Sequence, residues 1–424
     1  MVKKSENKKT VKIIIILVIG IVSLMLLYVG HFLLRSSEEI LPEPQDTTAV
    51  EDTAEAVDTV MQPIGNPVKY IHRSETINGL KQEINILEIN PGAPSVKIQP
   101  VLSHDLIYGF EPLSEMSARR NACAAVNGGF FRDFGLPSGM VVINGELFSK
   151  STGDYPVFVI QDGKAEFRQI DSELSIEFWR SVGGNVGIGE GGDIGSGTGT
   201  SEGTDAGKGA GTGKLSLDNI NFPASGKQTA VYTPAYGKNN RAQSKNITAT
   251  VEGGVITRIA DYTGEAAIPD DGMLISFFDT QKYAGIELPF RVGDSVKLIH
   301  KPDMTGDVEA YECGSWLVRD GVTVVKDKDA WVGVLTNRDP RTAVGVREDG
   351  TVLLLTVDGR QPGYSAGFTG MELAEYLIGC GIKDAAMLDG GASTEMLLEG
   401  RLVSRPSHKG EERPLAGGIL VLQE

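Results

Sequence analysis

The segment TVLLLTVDGRQPGYSAGFTGMELAEYLIGCGIKDAAMLDGGASTE, residues 351–395, predicts a strand, a helix and a second strand in that order. Residues 351–357 form a short apolar, β-branched run, which is typical of a buried strand. A helix is expected to begin after Thr369, because Glu372 follows three positions later as in a capping box. A second apolar run, residues 385–388, predicts the second strand. Together these elements predict a βαβ unit.

Each predicted strand is followed by an acidic turn, Asp358-Gly359 after the first and Asp389-Gly390-Gly391 after the second. A crossover of this length fits a parallel pair, whose carboxyl ends lie at one edge of the sheet. Open α/β sheets bind ligands at that edge, and the glycines let a ligand approach closely. The alternative is that both sequences only form turns, although the helix between them excludes a single hairpin. We therefore predict a site in which Asp358 and Asp389 face one crevice.

Composition excludes several classes of protein. The 424 residues include 41% hydrophobic and 23% charged residues, which is ordinary for a globular chain. The formal charge of -16 argues against nucleic-acid binding, which needs a basic surface. The three cysteines and five histidines are too scattered along the chain to predict a disulfide framework or a local zinc site.

The first 65 residues predict a membrane anchor and a tether. Residues 1–12 are basic, and residues 13–34 are an uncharged apolar run long enough to span a bilayer as a signal anchor. The positive-inside rule then predicts a cytoplasmic N-terminus and an extracytoplasmic C-terminal domain. Residues 35–65 are acidic and contain several prolines, so they predict a disordered linker.

Residues 66–424 are predicted to form the globular domain. Hairpin signals occur at 144–145, 162–163, 320–321 and 349–350, each an Asn-Gly or Asp-Gly pair between strand-like residues. Residues 183–213 are rich in glycine and predict a flexible insertion. The predicted fold class is α+β: a mixed β-sheet core rich in hairpins, with one βαβ crossover and few helices, tethered by an N-terminal transmembrane helix.

Five motifs in order carry a resemblance to a known family. They are NGGFF at 127–131, NRDPRTAVGV at 337–346, VDGR at 357–360, LDGGAST at 388–394 and SRPSHKGEERPLAGGILV at 404–421. This ordered set resembles the phosphodiester glycosidase family and covers most of residues 68–424 apart from the glycine-rich insertion. The chain departs from the family pattern LDGGGS at one position, where Ala392 replaces the third glycine.

The resemblance implies hydrolysis of a sugar that is linked through its anomeric carbon to a phosphodiester, with an N-acetylglucosamine-like sugar as the expected substrate. The catalytic residues are then expected to be Asp389, Asp358 and Arg341. Substrate binding is expected to involve the following residues: Asn127, Gly128, Arg360, Gly390, Gly391, Ser393, Thr394, Glu372 and Arg413. The arginines can grip phosphate oxygens in bidentate fashion, whereas Glu372 is a second-tier candidate because it also fits a helix cap.

Two other functions fit the same residues. The first is a non-catalytic glycan-binding or exopolysaccharide-assembly protein of the same fold, which Ala392 in the glycine triplet favours. The second is a metal-dependent phosphodiesterase, in which Asp358 and Asp389 hold a divalent cation and a phosphorus–oxygen bond is cleaved. The favoured prediction has no cofactor and has a carbohydrate phosphodiester of the cell envelope as its substrate.

Overall fold

Among the residues that the structure describes, strands make up 48% and helices 9%. The computed structural model describes residues 57–59, 67–180, 212–283 and 288–423, all of which belong to one unit, Ala54–Glu424. Within these ranges there are two α-helices, α1 Leu113–Arg119 and α2 Gly370–Gly379. Short 3₁₀ turns occur at Ser103–Asp105, Asp133–Gly135, Pro234–Tyr236 and Gly391–Ser393.

The strands of the described residues are numbered in chain order. Those of the first part are β1 Val57–Thr59, β2 Val68–Ile77, β3 Leu80–Ile89, β4 Val96–Leu102, β5 Ala124–Asn127, β6 Val141–Ile143, β7 Glu146–Ser149, β8 Pro156–Gln161, β9 Lys164–Gln169 and β10 Glu173–Trp179. Those of the middle part are β11 Thr212–Leu217, β12 Asn219–Ile220, β13 Thr229–Tyr232, β14 Asn246–Glu252, β15 Val255–Tyr262, β16 Gly272–Phe277, β17 Ser295–Lys301 and β18 Val308–Glu312. Those of the last part are β19 Trp316–Arg319, β20 Val322–Thr323, β21 Lys328–Asp329, β22 Gly333–Val334, β23 Arg341–Arg347, β24 Val352–Val357, β25 Ile382–Met387, β26 Met396–Leu398, β27 Arg401–Leu402 and β28 Gly417–Gln423.

These strands form several sheets. The central sheet has the order β1-β2-β3-β24-β23-β25-β19-β20, and a second eight-stranded sheet has the order β11-β10-β17-β15-β14-β16-β13-β12. Two five-stranded sheets, β7-β6-β18-β8-β9 and β27-β26-β5-β28-β4, and the small β21-β22 ribbon complete the described part. The central sheet contains every element of the segment 351–395 that the sequence identified as a strand.

The predicted α+β fold class is wrong, because the structure is mostly β and the predicted crossover does not join neighbouring strands. β23 lies between β24 and β25 and pairs with each of them in antiparallel fashion. The two strands are therefore parallel to each other but separated by one strand. Their carboxyl ends still lie at the same edge of the sheet, which is the feature that the site prediction requires.

The local elements of this segment are confirmed. The expected strands correspond to β24 and β25, and helix α2 begins after Thr369, whose hydroxyl accepts from the backbone N–H of Glu372 at 3.2 Å. The Glu372 carboxylate accepts in return from the Thr369 N–H at 3.0 Å, which completes a capping box. Helix α1 begins at Leu113, and the backbone N–H of Ser114 in its first turn donates to Glu412 Oε1 at 2.9 Å.

The core explains why residues 352–357 are apolar without alternation. Val352 and Leu354 pack on one face of the central sheet, in a cluster with residues of the β4-β5-β28 sheet. Leu353 and Leu355 pack on the other face, in a cluster with residues of helix α2. A strand that is covered on both faces needs apolar side chains at every position.

The four predicted hairpins are all confirmed. They connect β6 to β7, β8 to β9, β19 to β20 and β23 to β24. At Asn144-Gly145, for example, both residues have positive φ angles of 51° and 72°. Asn and Gly are the residues that adopt this conformation at the lowest cost, which is why the dipeptide identifies the turn.

The N-terminal predictions concern residues that lie mostly outside the described ranges. Residues 1–12 and 13–34 lie outside them, and no helix of the described residues is long and apolar enough to cross a membrane. Within the expected linker 35–65, Val57–Thr59 forms β1 and pairs with β2. The expected insertion 183–213 lies outside the description except for its last two residues, which begin β11.

Candidate active site

The two acidic turns lie on either side of Pro340, the residue that precedes β23. A Cβ atom on Gly359 would lie 2.7 Å from the nitrogen of Pro340, and one on Gly390 would lie 2.9 Å from its carbonyl oxygen. Neither position leaves room for a side chain, so glycine is required at both. The Asp-Gly turns that the sequence identified are therefore brought to one edge of the central sheet, with the start of β23 between them.

Asp389 is partly exposed as a residue, although its carboxyl group is as deeply buried as that of Asp358. Its backbone N–H donates to the carbonyl of Gly128 at 3.1 Å. Burial raises the pKa of its carboxyl, while a hydrogen bond from Ser393 and the positive charge of Arg413 act in the opposite direction. The net effect is a raised pKa, because Ser393 and Arg413 only partly oppose the larger effect of burial.

Asp358 is enclosed, with 1% of its surface exposed. Its Oδ2 accepts from the Tyr364 hydroxyl at 3.1 Å and from the Arg405 backbone N–H at 2.8 Å. Burial nevertheless raises the pKa of Asp358 to about 7, and the negative charge of Glu83 acts in the same direction. Oδ1 has no hydrogen-bond partner within the described part of the chain. The two aspartates thus share an edge but differ in exposure.

Arg341 is buried, and its guanidinium donates hydrogen bonds to two backbone carbonyl groups. Nε donates to the carbonyl of Phe368 at 3.0 Å, and Nη2 donates to that of Asn337 at 2.8 Å. Burial lowers the pKa of this guanidinium. These contacts fix the loop before β23, and a direct catalytic role for Arg341 stays a prediction.

Arg360 and Arg413 are better placed to meet an anion at this edge. The side chain of Arg360 is 50% exposed and donates from Nε to Asp339 Oδ1 at 2.7 Å. A Cβ atom on Gly391 would lie 3.3 Å from both Nη atoms of Arg360, so this guanidinium lies directly against the Gly391 turn. Arg413 is close enough to Asp389 to lower the pKa of its carboxyl. Arg360 therefore borders the Gly391 turn, and Arg413 lies near Asp389.

Asn127 is buried at the end of β5 and ties this strand to the acidic turn. Its Nδ2 donates to the carbonyls of Asp389 at 2.7 Å and Gly128 at 3.1 Å. Its Oδ1 accepts from the Thr342 hydroxyl at 2.7 Å and the Glu395 N–H at 3.2 Å. Both N–H groups of the Asn127 side-chain amide and both lone pairs of its oxygen are therefore occupied by hydrogen bonds. Asn127 positions the Asp389 backbone, and the structure leaves it no group for the predicted sugar contact.

Three further predicted residues lie beside this turn. A Cβ atom on Gly128 would lie 2.6 Å from the Tyr311 hydroxyl and 2.9 Å from the carbonyl of Gly417, so close packing requires glycine there. Ser393 is buried and donates to Asp389. Thr394 is buried and accepts from the Thr342 hydroxyl at 3.3 Å. Of these, only Ser393 contacts the candidate catalytic carboxylate.

Glu372 is a structural residue of the helix N-terminus. Besides its capping contacts, Oε1 accepts from Asn78 Nδ2 at 2.8 Å and forms an ion pair with Arg338. Burial raises the pKa of Glu372, but the Thr369 N–H and the contacts with Asn78 and Arg338 outweigh it, so the pKa is lowered overall. The second-tier assignment of Glu372 to substrate binding has no support in this geometry.

Glu395 belongs to the site but was not identified from the sequence. It is fully buried, and its Oε1 accepts from the Arg413 N–H at 2.9 Å. Burial raises the pKa of Glu395 to about 8, and the charge of Glu412 adds to the effect. The available signal was its position directly before β26, Met396–Leu398, because a carboxyl that enters an apolar strand is expected to be buried.

Residues 245–422 match the phosphodiester glycosidase family. The predicted resemblance is confirmed for this part of the chain, which contains Arg341, Asp358 and Asp389. Asn127 and Gly128 precede the matched residues and reach the site through the pairing of β5 with β26 and β28. The match suggests glycosidase activity and a hydrolase.

Individual relatives either match a short part of this chain or share its fold at low sequence identity. The SPbeta prophage-derived uncharacterized protein YomE of Bacillus subtilis is 29% identical over 36% of this chain and 24% of its own length. N-acetylglucosamine-1-phosphodiester alpha-N-acetylglucosaminidase of Bos taurus is 33% identical over 22% of this chain and 19% of its own length. The chain thus spans a quarter or less of these relatives. A crystal structure of a hypothetical protein from Synechocystis shares the fold, with a TM-score of 0.63, 22% identity, and coverage of 84% of this chain and 62% of that one.

Ala392 fits the phosphodiester glycosidase loop without strain. It lies in the 3₁₀ turn Gly391–Ser393. Gly391 has a φ of 62°, whereas Ala392 is not among the residues with positive φ. The departure from the family pattern therefore falls at a position whose backbone accepts a Cβ atom. Within the described ranges, no group of three or more His, Cys, Asp or Glu side chains is arranged to hold a metal ion.

Proposed function

We propose that this protein hydrolyses the bond between the anomeric carbon of a sugar and the phosphate of a sugar-1-phosphodiester. The observation that carries the proposal is Asp389, which follows β25 at the edge of the central sheet and whose carboxyl is influenced by a hydrogen bond from Ser393 and by the charge of Arg413. The proposed substrate is an N-acetylglucosamine-like sugar in a cell-envelope polysaccharide or glycan. The choice of sugar is supported by the bovine relative, whose name refers to N-acetylglucosamine. An extracytoplasmic location stays a prediction.

The leaving group explains why cations matter more than a strong acid at this site. Cleavage of the carbon–oxygen bond leaves its electron pair on a phosphate monoester, which is a stable anion and needs little protonation. Arg360 and Arg413 border the Gly391 turn and Asp389, and their guanidinium groups can bind two phosphate oxygens at once. Such fixed cations stabilise the charge that develops on the departing phosphate.

Asp389 supplies the negative charge on the sugar side of the bond. As the carbon–oxygen bond breaks, positive charge develops at the anomeric carbon, and a nearby carboxylate stabilises it. The same carboxylate can accept a proton from the water whose oxygen forms the new bond to that carbon. Burial raises the pKa of Glu395 to about 8, which disfavours a second negative charge beside Asp389.

The test is an assay of free reducing sugar released from an N-acetylglucosamine-1-phosphodiester. We expect wild-type protein to release sugar and Asp389→Asn to lose about 10²–10⁴-fold in turnover, because a positioned base or charge typically contributes that much. The Asn side chain keeps the shape of Asp and can accept from Ser393.

Asp349→Asn is the matched control, since Asp349-Gly350 is an acidic turn at the other end of β23. It should retain wild-type turnover. A folded Asp389→Asn protein with full activity would remove Asp389 from the mechanism. Absence of sugar release by the wild type would reject the function itself.

A further inference from the structure

A cavity of about 400 Å³ is lined by none of the candidate active-site residues. The residues of its wall that matter here are Asp154, Tyr155, Ser315, Trp316, Arg319 and Lys326. They come from the start of β8, from β19 and from the segment that precedes the β21-β22 ribbon. The wall thus combines two aromatic rings with polar and charged groups.

Backbone contacts connect this wall to the strand that leads to Asp389. The Gly314 N–H donates to the carbonyl of Met387 at 2.7 Å, and the Met387 N–H donates to the carbonyl of Ser315 at 3.0 Å. Met387 ends β25, two residues before Asp389. Ser315, which lines the cavity, is therefore held beside the end of the strand that positions the candidate catalytic carboxylate.

Ring contacts connect the opposite side of the wall to the NGGFF motif. The Tyr155 ring stacks on Trp331 with centroids 3.9 Å apart, and Trp331 lies 5.9 Å from the ring of Phe130. The Tyr155 hydroxyl is also fixed, because it donates to Asp329 Oδ1 at 3.2 Å. Phe130 follows Asn127 by three residues, so these ring contacts connect the cavity wall to the segment after β5.

The chemistry of the wall fits an uncharged ligand that has both apolar and hydroxylated surfaces. Asp154 and Asp329 balance Arg319 and Lys326 in formal charge, so the cavity does not select strongly for an anion. The Ser315 side chain is 5% exposed, and its hydroxyl has no hydrogen-bond partner among the residues that the structure describes. This oxygen is itself covered, so the groups of the wall that can bind ligand hydroxyls are the charged side chains of Asp154, Arg319 and Lys326.

Trp316 provides the apolar surface. Its ring lies 5.3 Å from that of Phe167, and the Arg319 guanidinium lies 5.4 Å from its centroid. Both contacts restrict the ring, so little conformational entropy is lost when a ligand packs against it. A sugar ring has an apolar face of C–H groups that packs on an aromatic ring, and a rim of hydroxyls that side chains such as Arg319 and Asp154 can bind.

We infer that this cavity is a saccharide subsite, which binds a neutral sugar unit of the substrate beyond the bond that is cleaved. The inference rests on the proposed function only in assigning the bound sugar to the substrate. It predicts that longer substrates bind more tightly than a single sugar phosphodiester, because they reach from Asp389 to Trp316.

The test is calorimetric titration of the full chain with neutral trisaccharides, namely chitotriose, cellotriose and maltotriose. None of them has a phosphodiester, so binding does not depend on catalysis. We expect wild type to bind at least one of them. Trp316→Ala should lower the affinity about tenfold or more, as loss of an aromatic anchor does, and Arg319→Ala should cause a smaller loss. Trp179→Ala is the control, since Trp179 is 41% exposed on β10 and does not line the cavity.

The outcomes separate this inference from the proposed function. Absence of binding of all three trisaccharides, or unchanged affinity in Arg319→Ala and in a folded Trp316→Ala, would overturn the subsite. If Trp316→Ala does not fold, Arg319→Ala, whose side chain is exposed, decides the question alone. Binding that the variants weaken would support the subsite even if no phosphodiester were cleaved, and in that case only the proposed hydrolysis would fail.

Discussion

Asp358 and Asp389 have the same sequence context and different surroundings. Burial raises the pKa of both carboxyls. Asp389 is partly exposed and lies near Arg413, whereas Asp358 is closed off by Tyr364 and the backbone of Arg405. We therefore assign the chemistry to Asp389 and expect Asp358 to act mainly on stability.

Asp358 should make the stability of the fold depend on pH. Its pKa is raised from the ordinary value of 3.8 to about 7, so between these values the unfolded chain loses a proton that the folded chain keeps. The free energy of unfolding should then fall as pH rises from about 4 to about 7, by up to roughly 4 kcal/mol. Asp358→Asn, which cannot ionise, should lose this part of the slope.

Urea unfolding at pH 4.5 and 7.5 measures the effect in both proteins. Relative to wild type, the variant should gain stability at the higher pH, because it avoids a buried charge beside Glu83. An identical pH dependence in wild type and Asp358→Asn would show that this carboxyl titrates normally.

Arg360 tests the phosphate contact. Arg360→Ala should lower kcat/KM for the phosphodiester about 10²–10³-fold, as expected for removal of a fixed group that stabilises developing charge. Arg360→Lys should recover only part of the loss, because lysine provides a single charge and no bidentate contact.

Arg258→Ala is a suitable control, since Arg258 is an exposed residue of β15 in the other large sheet. Equal and full activity of both Arg360 variants would exclude this side chain from phosphate binding.

At the level of single residues, the sequence identified the acidic turns but not what surrounds them. Asp-Gly is a local signal. The buried state of Asp358 depends on Arg405, and the hydrogen bonds of Asn127 depend on Thr342 and Glu395, all distant in the chain. A local pattern carries no information about such contacts, so Asn127 was predicted as a sugar ligand and Glu395 was missed.

At the level of elements, the local patterns predicted β24, α2 and β25 within a few residues, because apolar runs and a capping box are signals of adjacent residues. They could not predict that β23 lies between the two strands. Strand pairing depends on residues that are far apart in the chain. β23 pairs with β24 through a short hairpin, whose Asp-Gly turn is a strong local signal. The structure has a β23-β24 hairpin followed by a crossover from β24 to β25, which lies on the other side of β23.

The capping box of helix α2 should contribute measurably to stability. Thr369→Ala removes the hydroxyl that accepts from the Glu372 N–H and should lower the free energy of unfolding by about 1 kcal/mol. Thr369→Ser keeps the hydroxyl and should remain near wild type. Chemical unfolding of the three proteins measures the difference, and equal losses in both variants would show that the methyl group matters rather than the cap.

At the level of the whole molecule, the site depends on two sheets. The central sheet supplies the turns that contain Asp358 and Asp389, while the β4-β5-β28 sheet supplies Asn127 and packs against it through a shared core. The family match begins only at residue 245, although β3 and β5 lie before that point and are integral to these sheets. The geometry of the site is thus a property of the whole described unit rather than of the matched residues alone.

The central claim is that the carbon–oxygen bond of a sugar-1-phosphodiester is cleaved, and labelled water tests it most directly. The full chain is incubated with an N-acetylglucosamine-1-phosphodiester in water enriched in oxygen-18, and both products are analysed by mass spectrometry. If water attacks the anomeric carbon, as we predict, the label appears in the reducing sugar and the phosphate monoester has none. Label in the phosphate, with release of sugar-1-phosphate, would contradict the account and indicate phosphorus–oxygen cleavage.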